Sequence, residues 1–355
     1  MRKKALVIIL SIVIFTISIL MFSYHGTMYD PKYNKQWHLQ SDNKYGSNTE
    51  NMWTLIEPKI KDDIIVAVID SGIDFNNPEL QGRQWINNNE IPNNGIDDDE
   101  NGFIDDCKGW SFCEGTGSFT VNNYHGTEVA QIIAAQHNKT GIEGTIGKID
   151  KVKIMDLKVI NGNSSLEERG IDNLINSIEY AEQMGAIICN LSLGTNTYSD
   201  ELYKTINNSE MLFVVSVGNN YGWKTDIDKK SYYPACFGLD NVIAVGASNK
   251  EGGLSDESAY GKENVDLLAP GVEIAFINER NNVSYGNGVS YSVPIVTGVA
   301  AYIYAIDSTK KAKEVKTLIC STVTTNDTIQ NKCKTGGIVN GYEAVSTLIQ
   351  KKEEM

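Results

Sequence analysis

At 355 residues and 39.2 kDa, the chain is long enough for one large α/β domain or two smaller ones with a substantial core. Its composition, 41% hydrophobic and 21% charged with 31 Gly and 7 Pro, is globular and excludes collagen-like, coiled-coil and largely disordered chains. A formal charge of -14 repels phosphate backbones, so no nucleic acid is expected as a partner.

The amino end carries Arg2, Lys3 and Lys4, followed by an apolar run from Ala5 to Phe22 whose only polar members are Ser11, Thr16 and Ser18. Such a run is long enough to cross a bilayer, and the basic flank keeps its amino end in the cytoplasm. Met21, Phe22, Ser23, Tyr24 and His25 offer none of the small residues of a cleavage site, which favours an uncleaved signal anchor over residues 1–24. The expected location is the cell membrane, single-pass, with the body extracytoplasmic; secretion after signal cleavage is the alternative. Residues 25–50 are polar and weakly patterned and read as a stalk and N-terminal arm, 51–350 as the folded domain and 351–355 as a charged tail.

From Ile64 onward, short β-branched runs alternate with longer amphipathic ones. Strands are expected at Ile64 to Asp70, Val152 to Ile160, Ala186 to Leu191, Met211 to Val217 and Asn241 to Ala247. Helices are expected at Glu128 to Gln136 and Leu166 to Met184, with a closing helix at Ile338 to Ile349. This alternation predicts an α/β fold whose mainly parallel central sheet is covered by helices on both faces. In such sheets, sites collect beyond the carboxyl ends of strands, where Asp70, Ser192 to Gly194 and Asn219 fall.

Between the first and second of these strands lies an acidic insertion, Asn94 to Asp106. Asp97, Asp99 and Asn101, with Gly102 turning the chain, a carbonyl at Phe103 and Asp106 beyond it, place oxygens at alternate residues as calcium loops do. The bland reading is a solvated acidic loop. It is not an EF-hand, because no bidentate Glu occupies the twelfth position.

Six cysteines outside the cytoplasm permit disulfides in 15 full connectivities; Cys107 with Cys113 and Cys320 with Cys333 are the short-loop candidates. Cys189, in an apolar run, reads as a buried free thiol. The spacings support neither a zinc set nor a catalytic cysteine.

The four histidines are His25, His38, His125 and His137. His25 and His38 fall in the stalk region and His137 at the end of a helical pattern, whereas His125 opens a helix in Tyr124-His125-Gly126-Thr127. Asp70 ends a strand too apolar to tolerate an acid without a partner. Ser290 sits in a glycine-rich turn, Gly286-Asn287-Gly288-Val289-Ser290, before the small-residue helix Ile295 to Ile306. Alone, Ser290 would be read as an N-cap and Asn219 as a turn residue. Together, an imidazole can take the proton of a hydroxyl at a helix start while a buried carboxylate fixes the ring tautomer.

In the order Asp-Ser-Gly, His-Gly-Thr, Ser-Leu-Gly and the Ser290 block, the chain resembles the subtilisin-like serine peptidases, from about Asp30 to Val345. That resemblance implies a three-layer subtilisin-like fold, with Asp70 as orienting acid, His125 as general base and acid, and Ser290 as nucleophile. Val214 to Asn219 resembles the family strand that ends in Gly-Asn, which implies Asn219 as an oxyanion donor. Ser192, Leu193, Gly194 and Ser216, Val217, Gly218 resemble the strand ends that pair with an extended peptide. Tyr232, before Tyr233-Pro234, is expected at the base of the main pocket, favouring small or narrow groups.

The chain departs from the family in several places. Val289 replaces a threonine hydroxyl beside the oxyanion site, and Tyr291 a methionine. About 40 residues separate the apolar run from the first strand, so no self-cleaved prodomain is expected. His137 to Ile142 aligns with a second family calcium loop, but Lys139 and the lack of acids argue against it. The expected function is an extracytoplasmic serine endopeptidase acting on peptide or protein substrates in extended conformation, through limited processing of exported peptides such as bacteriocin or lantibiotic leaders. A structural calcium ion and no organic cofactor are expected. The alternative is a catalytically silent binding or scaffold protein of the same fold, motivated by Val289 and Tyr291.

Overall fold

The computed structural model describes residues 29–55, 63–161, 170–220 and 224–354. The apolar run within 1–24, the first part of the expected stalk and the start of the Leu166 to Met184 pattern lie outside the described residues.

Among the described residues, nine strands form one sheet and two a separate hairpin. The first strand, β1 (Ile64–Asp70), is buried along nearly its whole length, as a β-branched run must be when helices cover both faces of a sheet. It lies between β3 (Val152–Lys158) and β4 (Ile188–Leu191), parallel to both, with β2 (Gly109–Ser111) parallel to β3 at one edge. On the other side the sheet continues in parallel through β5 (Leu212–Ser216), β6 (Val242–Ser248) and β7 (Leu267–Pro270). Next to β7 lies β11 (Gly337–Ile338), paired antiparallel with β10 (Thr324–Thr325); β8 (Ile274–Ile277) and β9 (Val283–Gly286) make the hairpin. The expected α/β architecture with a mainly parallel sheet is the one observed. The short edge strands β2, β10 and β11 carry too little pattern to be read from sequence.

The helices flank this sheet: α1 (Thr49–Leu55), α2 (His125–Ala134), α3 (Gly170–Gln183), α4 (Asp200–Asn208), α5 (Val289–Ile306), α6 (Ala312–Ser321) and α7 (Gly341–Glu353). Helix α4 starts where the Ser199 hydroxyl accepts the Leu202 N–H, and α7 where the Asn340 side chain accepts the Glu343 N–H, each satisfying an orphan donor of the first turn. Helix α5 is long and apolar enough to cross a membrane but is buried against the sheet, as the central helix of a folded core is.

The N-terminal arm is held against this core. Tyr33, Trp37 and Leu39 are buried, Trp37 Nε1 donates to the Val272 carbonyl at 3.0 Å, and the Lys32 N–H donates to the Gly141 carbonyl. His38, assigned from sequence to the stalk region, is 1% exposed.

Neither expected disulfide is present, since all six cysteines are free thiols. Cys107 and Cys113 lie at opposite ends of the extended β2, which holds them apart. Cys333 Sγ lies 3.7 Å from the Gly337 carbonyl, and burial pushes the Cys320 thiol up to about 12. Cys189 is a buried thiol in β4.

Burial pushes His38 down to about 3, so it folds neutral, while an unfolded histidine takes a proton below about 6.5. Its contribution to stability is complete above that pH and is lost as pH falls toward 3. Chemical denaturation between pH 7 and 4 should show a decline of up to about 1.4 kcal/mol per unit that is shallower in His38→Gln; parallel slopes would exclude the assignment.

Candidate active site

The carboxyl ends of β1, β4 and β5 open onto one cleft of about 1050 Å³. Asp70 closes β1 and is 1% exposed. Its Oδ1 accepts the Ser71 N–H at 2.7 Å, and His125 Nδ1 lies 2.8 and 3.0 Å from its two oxygens. An ionised carboxylate only accepts, so the ring hydrogen sits on Nδ1 and Nε2 keeps its lone pair. The first turn of α2 can approach so closely because residue 126 is glycine: a Cβ there would stand 2.6 Å from the Gly72 carbonyl oxygen. Burial pushes the His125 imidazole down, but the Asp70 charge and hydrogen bond together with the Glu128 charge outweigh it, leaving the ring above its ordinary value.

Ser290 is the second residue of α5 and lines the same cleft. Gly288, just before the helix, has a φ of 123°, a left-handed backbone open to glycine, and passes close to the Asn219 side chain. Pro294 lies inside α5 and has no N–H to return to the Ser290 carbonyl, four residues back. The Ser192 hydroxyl fills that vacancy at 3.0 Å, and the Ser290 hydroxyl donates to the Ser192 carbonyl at 3.1 Å. Two reciprocal bonds thus tie the Ser290 turn to the end of β4. No hydrogen bond joins Ser290 Oγ to His125 among the described residues, so Asp70, His125 and Ser290 share the cleft with only the first two bonded.

Asn219 also lines the cleft, and its Oδ1 accepts the Val289 N–H at 2.9 Å. With its oxygen committed, its NH₂ is the group left to donate. The Val289 side chain is buried. Ser192, Leu193, Gly194, Ser216, Val217 and Gly218 all line the cleft. Tyr232 stands between its two walls: a Cβ on Gly194 would lie 2.5 Å from the Tyr232 ring, and one on Gly218 3.3 Å.

The acidic insertion is arranged differently from its spacing. Asp99 and Asp106 join Glu90, each offering a carboxylate oxygen within 4.8 Å of the others. Asp97 turns both oxygens to the backbone, accepting the N–H groups of Asn101 at 3.0 Å and Gly102 at 2.8 Å. Asn101 presents its amide nitrogen to Asp106 at 2.9 Å, and the Phe103 ring packs on Tyr180 with centroids 4.8 Å apart. Spacing along the chain does not point to Glu90, which lies upstream of the loop, outside any alternating pattern. Asp106 is 0% and Glu90 6% exposed, and no lysine or arginine forms a salt bridge with this trio among the described residues. The Asn87 amide donates to both Asp99 and Asp106 at 2.9 Å, Tyr180 and Asn101 donate to Asp106, and the Asp98, Asp99 and Asp105 N–H groups donate to Glu90. None of these donors brings a positive charge to three gathered acids, so the oxygen set fits a hard, oxygen-preferring cation. At the loop from His137 to Ile142, His137 Nδ1 lies 2.6 Å from Glu143, and Asp30 accepts the Asn138 and Lys139 N–H groups.

Residues 61–338 match the profile of the subtilase family (peptidase S8), and the chain belongs to that family. It is 29% identical over 349 residues to subtilisin-like protease 1 of Plasmodium berghei (strain Anka), covering 93% of this chain and 57% of that protein. Against subtilisin DY of Bacillus licheniformis the identity is 33% over 218 residues, 61% of this chain and 76% of the relative. The chain spans about half the length of the Plasmodium relatives it matches. Among solved structures, a chain from the subtilase cytotoxin SubAB assembly superposes with a TM-score of 0.66 at 23% identity, covering 89% of this chain and 97% of that one. The prenylagaramide maturation protease PagA gives a TM-score of 0.62 at 24% identity, covering 84% of this chain and 98% of that one. These structural likenesses establish the fold.

Proposed function

We propose that the chain is a serine endopeptidase of the subtilisin type in which Ser290 attacks the peptide carbonyl, His125 carries the proton and Asp70 orients the imidazole. The observation that carries this reading is the buried Asp70 carboxylate bonded to His125 Nδ1 in the cleft that Ser290 lines. For reaction, the Ser290 hydroxyl swings from the Ser192 carbonyl to His125 Nε2. Its proton passes to Nε2 and then to the leaving amine, and water hydrolyses the acyl-enzyme through the same base. The Asn219 NH₂ and the Ser290 N–H hold the oxyanion. A catalytically silent protein of the same fold is the second reading, favoured by the Ser290 hydroxyl bonding to Ser192 rather than His125. A fluorophosphonate should label the folded wild-type chain and not Ser290→Ala, with Asn219→Ala slower by on the order of 10²- to 10³-fold. Folded wild-type protein that takes no label would favour the silent reading.

The apolar run Ala5 to Phe22 supports a single-pass membrane enzyme with its domain outside the cytoplasm, processing exported peptides such as bacteriocin or lantibiotic leaders. A protein of the same fold, PagA, is a prenylagaramide maturation protease. Peptide lies extended between the ends of β4 and β5. Within that cleft the Tyr232 ring, packed against Gly194 and Gly218, is proposed to favour small or narrow side chains before the scissile bond. Tyr232→Gly should raise cleavage after large side chains by about 10-fold or more in a peptide-library digest, and an unchanged profile would remove the ring from specificity. Secreted-peptide profiles that match between wild-type and Ser290→Ala cells would remove the processing role.

Glu90, Asp99 and Asp106 are the carboxylates proposed to hold calcium, which steadies the insertion beside β2. A saturating calcium concentration, about 100 times the dissociation constant, should stabilise the wild type by about 2.7 kcal/mol over chelated protein, raising its melting temperature. Asp106→Asn should lose that increment; identical melts of the wild type with calcium and with chelator would exclude the site.

A further inference from the structure

Tyr291 and Glu128 lie on the two helices that meet at the cleft and belong to none of the roles above. Glu128 follows His125 by one turn of α2, so both side chains occupy one face of that helix. Tyr291 directly follows Ser290, and its hydroxyl donates to Glu128 Oε2 at 2.7 Å. Its ring lies edge-on to the His125 imidazole, centroids 6.2 Å apart, and is stacked on Phe276 of β8 at 6.0 Å and 5°. This ring is therefore clamped at three points: by Phe276 on its face, by Glu128 at its hydroxyl and by the backbone it shares with Ser290.

We propose that Glu128 and Tyr291 form a positioning pair, in which the hydroxyl-carboxylate bond pins the Ser290 turn of α5 to the His125 turn of α2 and sets a second negative charge beside the imidazole. The proposal rests on the serine-endopeptidase reading for its kinetic consequence, though the charge on His125 stands without it. An imidazole bonded to Asp70 at Nδ1 is free to tilt about that bond, and the Tyr291 ring limits the tilt, holding Nε2 in place for the Ser290 hydroxyl when it swings over. The charge acts in the same direction as Asp70, stabilising imidazolium.

The ionisable groups facing this pair come from every element around it. Asp70 lies at the end of β1, Tyr124 just before α2, Glu279 in the turn between β8 and β9, and Glu257 in the loop between β6 and β7. Burial raises Glu128, while the Tyr291 hydrogen bond and the nearby imidazole oppose that rise. Tyr291 itself is raised by burial and by Glu128, so it stays protonated and remains a donor across the working range.

Two isosteric variants separate charge from hydrogen bond. Glu128→Gln keeps an acceptor for the Tyr291 hydroxyl and removes the charge; Tyr291→Phe keeps the charge and removes the bond. In the full chain in detergent, the His125 ring signal, assigned by its loss in His125→Asn, is titrated by NMR. The rate of fluorophosphonate labelling is followed over the same pH range. Glu128→Gln should lower the His125 midpoint by about half a unit and carry the acid limb of labelling with it. Tyr291→Phe should slow labelling several-fold on the alkaline plateau, and the double variant should be no slower than the slower single one.

An unchanged His125 midpoint in Glu128→Gln would overturn the charge coupling, and wild-type labelling by Tyr291→Phe would overturn the positioning. If one variant does not fold, the other decides its own half. Wild-type protein whose His125 titrates but whose Ser290 takes no label would count against the endopeptidase reading alone, because the Glu128→Gln titration still reads the charge.

Discussion

A carboxylate at the tip of a strand buried on both faces is the constraint around which this molecule is arranged. Asp70 cannot sit 1% exposed at the end of β1 without groups to receive its charge, and the sheet offers few. The Ser71 N–H supplies one and the His125 ring the other. The second of these requires α2 to begin against the end of β1, which requires a residue without a side chain at position 126. The electrostatic need of one acid thereby dictates where a helix starts and how close it comes.

The topology provides the place. Because β1 lies between β3 and β4, the chain leaves it toward one side and later returns to the other, and a crevice opens beyond the carboxyl ends of β1, β4 and β5. Into it α5 delivers Ser290. The missing N–H of Pro294 frees the Ser290 carbonyl from the helix, and Ser192 takes it up, so a gap in helical bonding becomes an anchor to the neighbouring strand. Lys158, buried in β3 beside Asp70 in register, has its own partners in Glu114 and the Thr120 carbonyl. Asp156, one strand over, is pushed up to about 8 by burial, with the Asp70 charge adding to the rise.

Much of this architecture was legible in the chain. The β-branched runs at 64–70 and 212–216 stand out because strands buried on both faces must be apolar throughout, and Val129, Ile132 and Ile133 mark the buried face of α2. The hairpin of β8 and β9 and the short β2 were not legible, since they owe their conformation to what they pair with. Glu90 was missed for a related reason: it joins Asp99 and Asp106 through the folding of the insertion, with no fixed spacing between them. Expected pairing of Cys107 with Cys113 failed because sequence distance says nothing of the extended strand that separates them.

By itself the sequence determined the residue types and their order: an acid after an apolar run, a histidine before glycine at a helix start, a serine after a glycine turn, and a proline four residues beyond that serine. These follow from local chemistry, from which residues tolerate a strand core, a left-handed backbone or a missing N–H. Tertiary structure alone decided which groups meet. The partnership of Tyr291 with Glu128 across 163 positions, the Tyr232 ring between Gly194 and Gly218, and the turn of the Ser290 hydroxyl toward Ser192 all depend on how two helices and two strand ends pack. Hydrogen bonds and charges act over a few ångströms of space, and only the packed core converts distance along the chain into proximity.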